Sequence, residues 1–77
     1  MSKTVLNLQG LRCPLPALKT RKALSGLTSG DTLVVECTDP LSIIDIPHLV
    51  RETRNLLESN TQEHGIFVFR IRKADQP

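Results

Sequence analysis

Aromatic residues are nearly missing from this chain: Phe67 and Phe69 stand alone, with no Trp and no Tyr. A single-strand nucleic-acid binder built on stacking platforms carries more rings than that. Charge is muted too, ten basic residues against eight acidic, and a net charge of +2 does not by itself mark a nucleic-acid binder. No uncharged apolar run approaches the ~20 residues that cross a bilayer. The opening Met1-Ser2-Lys3-Thr4 leads straight into apolar alternation, not into a signal peptide. A cytoplasmic protein without membrane insertion is expected. Cysteine is scarce, and Cys13 with Cys37 cannot staple a secreted scaffold.

What is present suits a small globule. The chain has 77 residues, 39% of them apolar and 23% charged, which allows one domain over 1–77 and no more. Val5 to Leu8 alternates as a short strand, and Pro14 opens a helix to about Ser25, closed by Gly26 and Thr28-Ser29-Gly30. Thr32 to Thr38 reads as a strand with Leu33, Val35 and Cys37 inward. Asp39-Pro40 starts a second helix to roughly Arg54, with a bend expected at Pro47. A weak edge strand over Leu57 to Gln62, a turn at His64-Gly65 and a strand from Ile66 to Arg72 complete the order. Lys73 to Pro77 reads as a frayed tail.

The expected fold is therefore an α/β two-layer sandwich of order βαβαββ: a mixed four-stranded sheet with two helices on one face. Ala17, Thr20, Ala23, Leu24 and Leu27 share an arc of about 120° on the first helix. Ile43, Ile46, Val50 and Thr53 share another on the second.

Chemistry concentrates in Cys13-Pro14-Leu15-Pro16. Proline suits the first position of a helix, which puts Cys13 at the N-cap, against the free amides of the first turn. Pro14 and Pro16 lack an N–H, so Leu15 and Ala17 remain as donors, aided by the helix dipole and by Arg12 next door. Asp39-Pro40 repeats the pattern with a carboxylate in the capping slot. Free cysteine is only about 3% ionised at pH 7, and helix N-termini can lower its pKa to roughly 3.5–7.5, so a thiolate at Cys13 is expected.

A dithiol redox pair would need a second cysteine two residues on, where Leu15 stands. Cys37 reads as a buried hydrophobe, and His48 and His64 as surface and turn residues rather than bases. Cys13, Cys37, His48 and His64 fit no zinc spacing, so neither metal nor cofactor is expected. A lone exposed thiolate can still carry sulfur as a persulfide, given a surface on which partners dock. Leu15 and Leu18, with Lys19 and Lys22 on the same outward side of the first helix, are candidates for that surface.

The stretch from Asn7-Leu8-Gln9-Gly10-Leu11-Arg12 through Cys13-Pro14-Leu15-Pro16 resembles the signature of the TusA/SirA family of small sulfur-carrier proteins. Asp39-Pro40 through Asp45-Ile46-Pro47 is similar to that family's second motif, and Ile71-Arg72-Lys73 to its usual ending. The resemblance covers nearly the whole chain. It implies the two-layer sandwich, with Gly10, Asp39, Asp45 and Pro47 as motif positions and Cys13 as the persulfide-bearing residue. It further implies a sulfurtransferase fed by a cysteine desulfurase or rhodanese-like donor. Its acceptor would serve tRNA thiolation, molybdenum-cofactor synthesis or related sulfur trafficking. Asn7 stands where the family usually has Asp, keeping hydrogen-bonding capacity but not the negative charge.

A monomer fits a carrier that visits two partners. Two other readings stay open. One is a regulatory or binding module in which Cys13 is a redox-sensitive thiol or only a cap. The other is an RNA-binding module using Arg70, Arg72 and Lys73 with Lys19, Arg21 and Lys22 as a basic edge, although direct nucleic-acid contact is not expected.

Overall fold

The computed structural model describes residues 2–74. Four strands and two helices follow in the order β1 (Lys3–Leu8), α1 (Leu15–Ser25), β2 (Thr32–Cys37), α2 (Ser42–Glu52), β3 (Leu56–Glu63) and β4 (Ile66–Arg72). The sheet order is β1-β2-β4-β3, with β1 parallel to β2 and the other two pairings antiparallel. This is the expected mixed sheet with both helices on one face.

Alternation builds the core. Leu33, Val35 and Cys37 of β2 pair across to Ile71, Phe69 and Phe67 of β4, and all six are buried against Leu24 of α1 with Ile46 and Val50 of α2. A row of β-branched and aromatic side chains on one pleated face is what a helix layer can cover. β2 is central enough that Thr32 and Val34, on its other face, are also buried.

The helices seat differently from the sequence pattern in detail. On α1 the buried residues are Pro16, Thr20 and Leu24, while Ala23 and Leu27 are only partly covered. On α2, Leu49 is buried and Ile43 is not: half of Ile43 faces solvent, beside a cleft floored by Phe67 and Phe69. The helix runs through Pro47 without ending, starts at Ser42 and stops at Glu52.

The β3–β4 connection is a two-residue turn between the paired Glu63 and Ile66, with His64 at φ 52° and Gly65 at φ 77°. Two successive positive φ values define the type I′ turn, whose twist matches the strands it joins. The chain end departs from expectation. Lys73 and Ala74 are held rather than frayed: the Lys73 amide donates to the Asp31 carbonyl (2.8 Å), its Nζ to the Leu24 carbonyl (2.9 Å), and the Ala74 amide to Asn55 Oδ1 (3.0 Å). The rest of the expected tail, 75–77, lies outside the described residues.

Candidate functional site

Parallel pairing of β1 and β2 brings the two loops that leave their carboxyl ends side by side, the place where open α/β sheets gather functional groups. Two hydrogen bonds tie the loops together. The Gly10 amide donates to Thr38 Oγ1 (2.8 Å), and the Cys13 amide donates to Asp39 Oδ2 (2.5 Å). Gly10 sits at φ +85° with open space where a Cβ would be, so glycine is needed there for its backbone angle and not for room. Asn7 Oδ1 accepts the Gln9 amide (3.0 Å), a turn that asks only for an oxygen two residues back. An Asn oxygen makes that turn without a negative charge.

Cys13 is exposed, but not at the N-cap. The α1 helix begins at Leu15 with Pro14 in the capping position, so Cys13 lies one residue further out, across a cis bond to Pro14. Of the two donors expected for it, Leu15 is engaged elsewhere. The Leu15 amide donates to the Arg12 carbonyl (2.9 Å), and Pro14 and Pro16, the latter buried, have no N–H to offer. Leu18 donates to the Pro14 carbonyl in the ordinary helical manner (3.1 Å). Ala17 is half-buried behind them, and Arg12 points along an exposed cleft with Gly10, Asp39 and Pro40.

The sulfur turns to α2 instead. Cys13 Sγ–H donates to Asp45 Oδ2 at 3.0 Å. A thiol that donates to a carboxylate loses that bond on ionising, and Asp45 and Asp39 then repel the resulting anion. The hydrogen bond to Asp45, with smaller contributions from desolvation and from both negative charges, pushes the Cys13 pKa above the ordinary thiol value. The expectation of a resting thiolate is corrected: with the Leu15 amide engaged elsewhere and a carboxylate in contact, the free protein holds a thiol.

Asp39 is also misread as a helix cap, since Leu41 occupies that position on α2. Its carboxylate serves two amides, Cys13 through Oδ2 and Leu41 through Oδ1 (3.1 Å), while its carbonyl accepts the Ser42 amide and hydroxyl. Asp39 and Asp45 therefore position the cysteine directly. Pro47 follows two residues after Asp45, half-buried.

The other thiol, Cys37, is fully buried in the core, and desolvation raises its pKa too. His48 and His64 are surface residues, 3.6 Å from Glu52 and 3.7 Å from Glu63.

The surface around Cys13 is only partly the expected one. Leu15 and Leu18 are exposed, at 43% and 56%. Lys19 and Lys22 instead line a groove toward β1 with Leu6, Ala23 and Leu27. The cysteine's other flank carries exposed Leu41 and Ile44, which sequence reasoning missed. Two apolar residues inside the Asp39–Asp45 segment, off the buried stripe of Ile46, Leu49 and Val50, are the signal that could have found them.

The six cations of the supposed basic edge do not gather. Arg70 and Arg72 point off the open sheet face to Glu58 (3.3 and 2.9 Å), Arg21 pairs with Glu52 (3.1 Å), and Lys73 binds the Leu24 carbonyl. Among the described residues no cluster of three His, Cys, Asp or Glu side chains could hold a metal, and no helix is long and apolar enough to cross a membrane.

Comparison with known proteins agrees with this architecture. The family described as sulfurtransferase TusA matches residues 4–73, and the chain belongs to that family. It is 41% identical over 69 residues to the sulfur carrier protein TusA of Allochromatium vinosum, covering 90% of this chain and 91% of that one. It is 33% identical over 72 residues to a putative sulfur carrier protein of Neisseria meningitidis serogroup A, covering 94% and 97%. The crystal structure of a SirA-like protein from Desulfitobacterium hafniense superposes with a TM-score of 0.82 over 94% of this chain and 99% of that one. At 18% identity it shares the fold.

Proposed function

We propose that this single domain is a persulfide-carrying sulfurtransferase whose reacting atom is Cys13 Sγ. The observation that carries the reading is the contrast between the two thiols: Cys13 is exposed at the carboxyl ends of β1 and β2, and Cys37 is sealed in the core. In uptake, Cys13 Sγ bonds to the terminal sulfur of a donor persulfide. The donor's S–S bond breaks, its electron pair leaves with the donor sulfur, and the proton shed by Cys13 ends on that donor thiol. Delivery reverses the roles, with an acceptor thiolate attacking the carried sulfur and Cys13 leaving. Neither direction needs a cofactor, an oxidant or a reductant.

A cysteine desulfurase or rhodanese-like protein is the donor class that fits, and an acceptor in tRNA thiolation, molybdenum-cofactor synthesis or related trafficking is the destination. Leu15, Leu18, Leu41 and Ile44 around Cys13 offer the apolar contact on which such partners seat. The protein works as a cytoplasmic monomer in this reading. Incubation with a desulfurase and cysteine, followed by intact mass measurement, tests it. The expected result is a gain of one sulfur atom, lost on reduction and absent in Cys13→Ser; no gain with any competent donor sinks the reading.

One observation favours a second reading. A thiol held protonated by Asp45 is what a binding module in which Cys13 only ties its loop to α2 would also show. That module would bind its partner equally well as Cys13→Ser and would take up no sulfur in the same mass experiment.

A further inference from the structure

Sulfur exchange needs a thiolate, yet the free protein ties its exposed thiol to a carboxylate. We propose that Asp45 is the positioning residue for Cys13: it holds the unloaded sulfur as a hydrogen-bonded thiol turned toward α2, until a docking partner separates the two. This rests on Cys13 being the sulfur-bearing residue and adds how that residue is kept quiet between partners. Asp45 sits in the first turn of α2, half-buried, so its carboxylate is fixed by the helix while Sγ is carried on the loop before α1. The contact spans 32 residues, and Asp39 holds the backbone of the same cysteine by its amide.

The charged groups around the sulfur are Asp45 on α2, Asp39 in the loop before it, and Arg12, exposed next door. Only the two carboxylates act on Sγ, and both oppose its ionisation. A persulfide at Cys13 behaves otherwise. It is more acidic than its parent thiol, so it has no proton for Asp45, and both carboxylates repel it. The carried sulfur therefore faces outward. Asp45 thus separates an empty state, folded back, from a loaded state, presented.

The test needs no sulfur donor. The Cys13 titration midpoint is followed by thiolate absorbance, and neutral-pH alkylation by iodoacetamide gives the rate, in wild type, Asp45→Asn and Asp45→Glu. Asp45→Asn should lower the midpoint by about one pH unit. It should speed alkylation about threefold, the lower intrinsic nucleophilicity of a more acidic thiol cancelling roughly half the gain in thiolate. Asp45→Glu should stay as slow as wild type.

A second readout uses the unaltered protein: the Asp45 carboxyl carbon resonance should show an inflection where Cys13 ionises, missing in Cys13→Ser. An unchanged or higher midpoint in Asp45→Asn, or no such inflection, overturns the proposal. Failure to load sulfur in the mass experiment would instead overturn the carrier reading and leave these titrations standing.

Discussion

Two thiols in this protein are both protonated at neutral pH, for opposite reasons. Cys37 is neutral because burial costs its anion more than the Ser42 hydroxyl returns, Cys13 because a carboxylate accepts its proton while water is all around. Their reactivities separate accordingly. Iodoacetamide should label one thiol per native chain, Cys13, and both only after unfolding. The Cys13 rate should sit below that of free cysteine at pH 7 and keep climbing as pH passes the ordinary thiol range, because its pKa is raised. Peptide mapping across a pH series checks both points; a fast rate at pH 7 that is already level would contradict them. At this scale the sequence was legible as to which cysteine is exposed, since loop position and strand alternation are local. It was illegible as to the state of the sulfur. Asp45 is 32 residues away, and only the parallel pairing of β1 with β2 brings the α2 entrance to the α1 entrance.

Element ends show the same division. Gly26 marked the close of α1, but α2 stops without a glycine. Its last turn is a Schellman closure, with the Asn55 amide donating to the Val50 carbonyl and the Arg54 amide to the Arg51 carbonyl (both 3.0 Å). Arg54 supplies the left-handed residue at φ 61°, which is unfavourable for a side chain with a Cβ. Arg54→Gly should therefore stabilise the protein by about 0.5–1 kcal/mol, the relieved backbone cost outweighing glycine's extra freedom in the unfolded chain. Thermal or urea unfolding checks the sign, and a loss of stability would mean that the Arg54 side chain contributes more than its backbone costs. An arginine in a glycine's place is why the sequence placed this terminus at roughly Arg54. Glu58 is a similar case. A register shift between Leu57 and Ser59 re-aims it onto Arg70 and Arg72, and no alternation pattern could announce that. The strands that pattern strongly, β2 and β4, were legible because one face of each is fully apolar.

For the whole molecule, the end opposite the cysteine is organised by a residue that sequence reasoning passed over. Asp31, buried at the start of β2, accepts the Ser2 amide on Oδ1 (3.0 Å) and the Thr28 amide and hydroxyl on Oδ2 (both 3.0 Å). Its own carbonyl takes the Lys73 amide (2.8 Å), so the entry to β1, the loop after α1 and the exit from β4 meet at one residue, the first two of them on its carboxylate. Three donors favour the charged carboxylate and bring its pKa down to about 2 from the ordinary 3.8. A folded-state pKa below the unfolded one stabilises the fold at every pH above the unfolded value, and that stabilisation drains as pH falls from about 4 toward 2. Asp31→Asn keeps one acceptor oxygen and loses the charge. It should lower Tm at neutral pH, and the gap to wild type should narrow steadily across the same acid interval. Melting curves for the two proteins between pH 7 and pH 2 measure this, and a gap that stays constant down to pH 2 would show that the Asp31 charge contributes nothing to holding the three segments together.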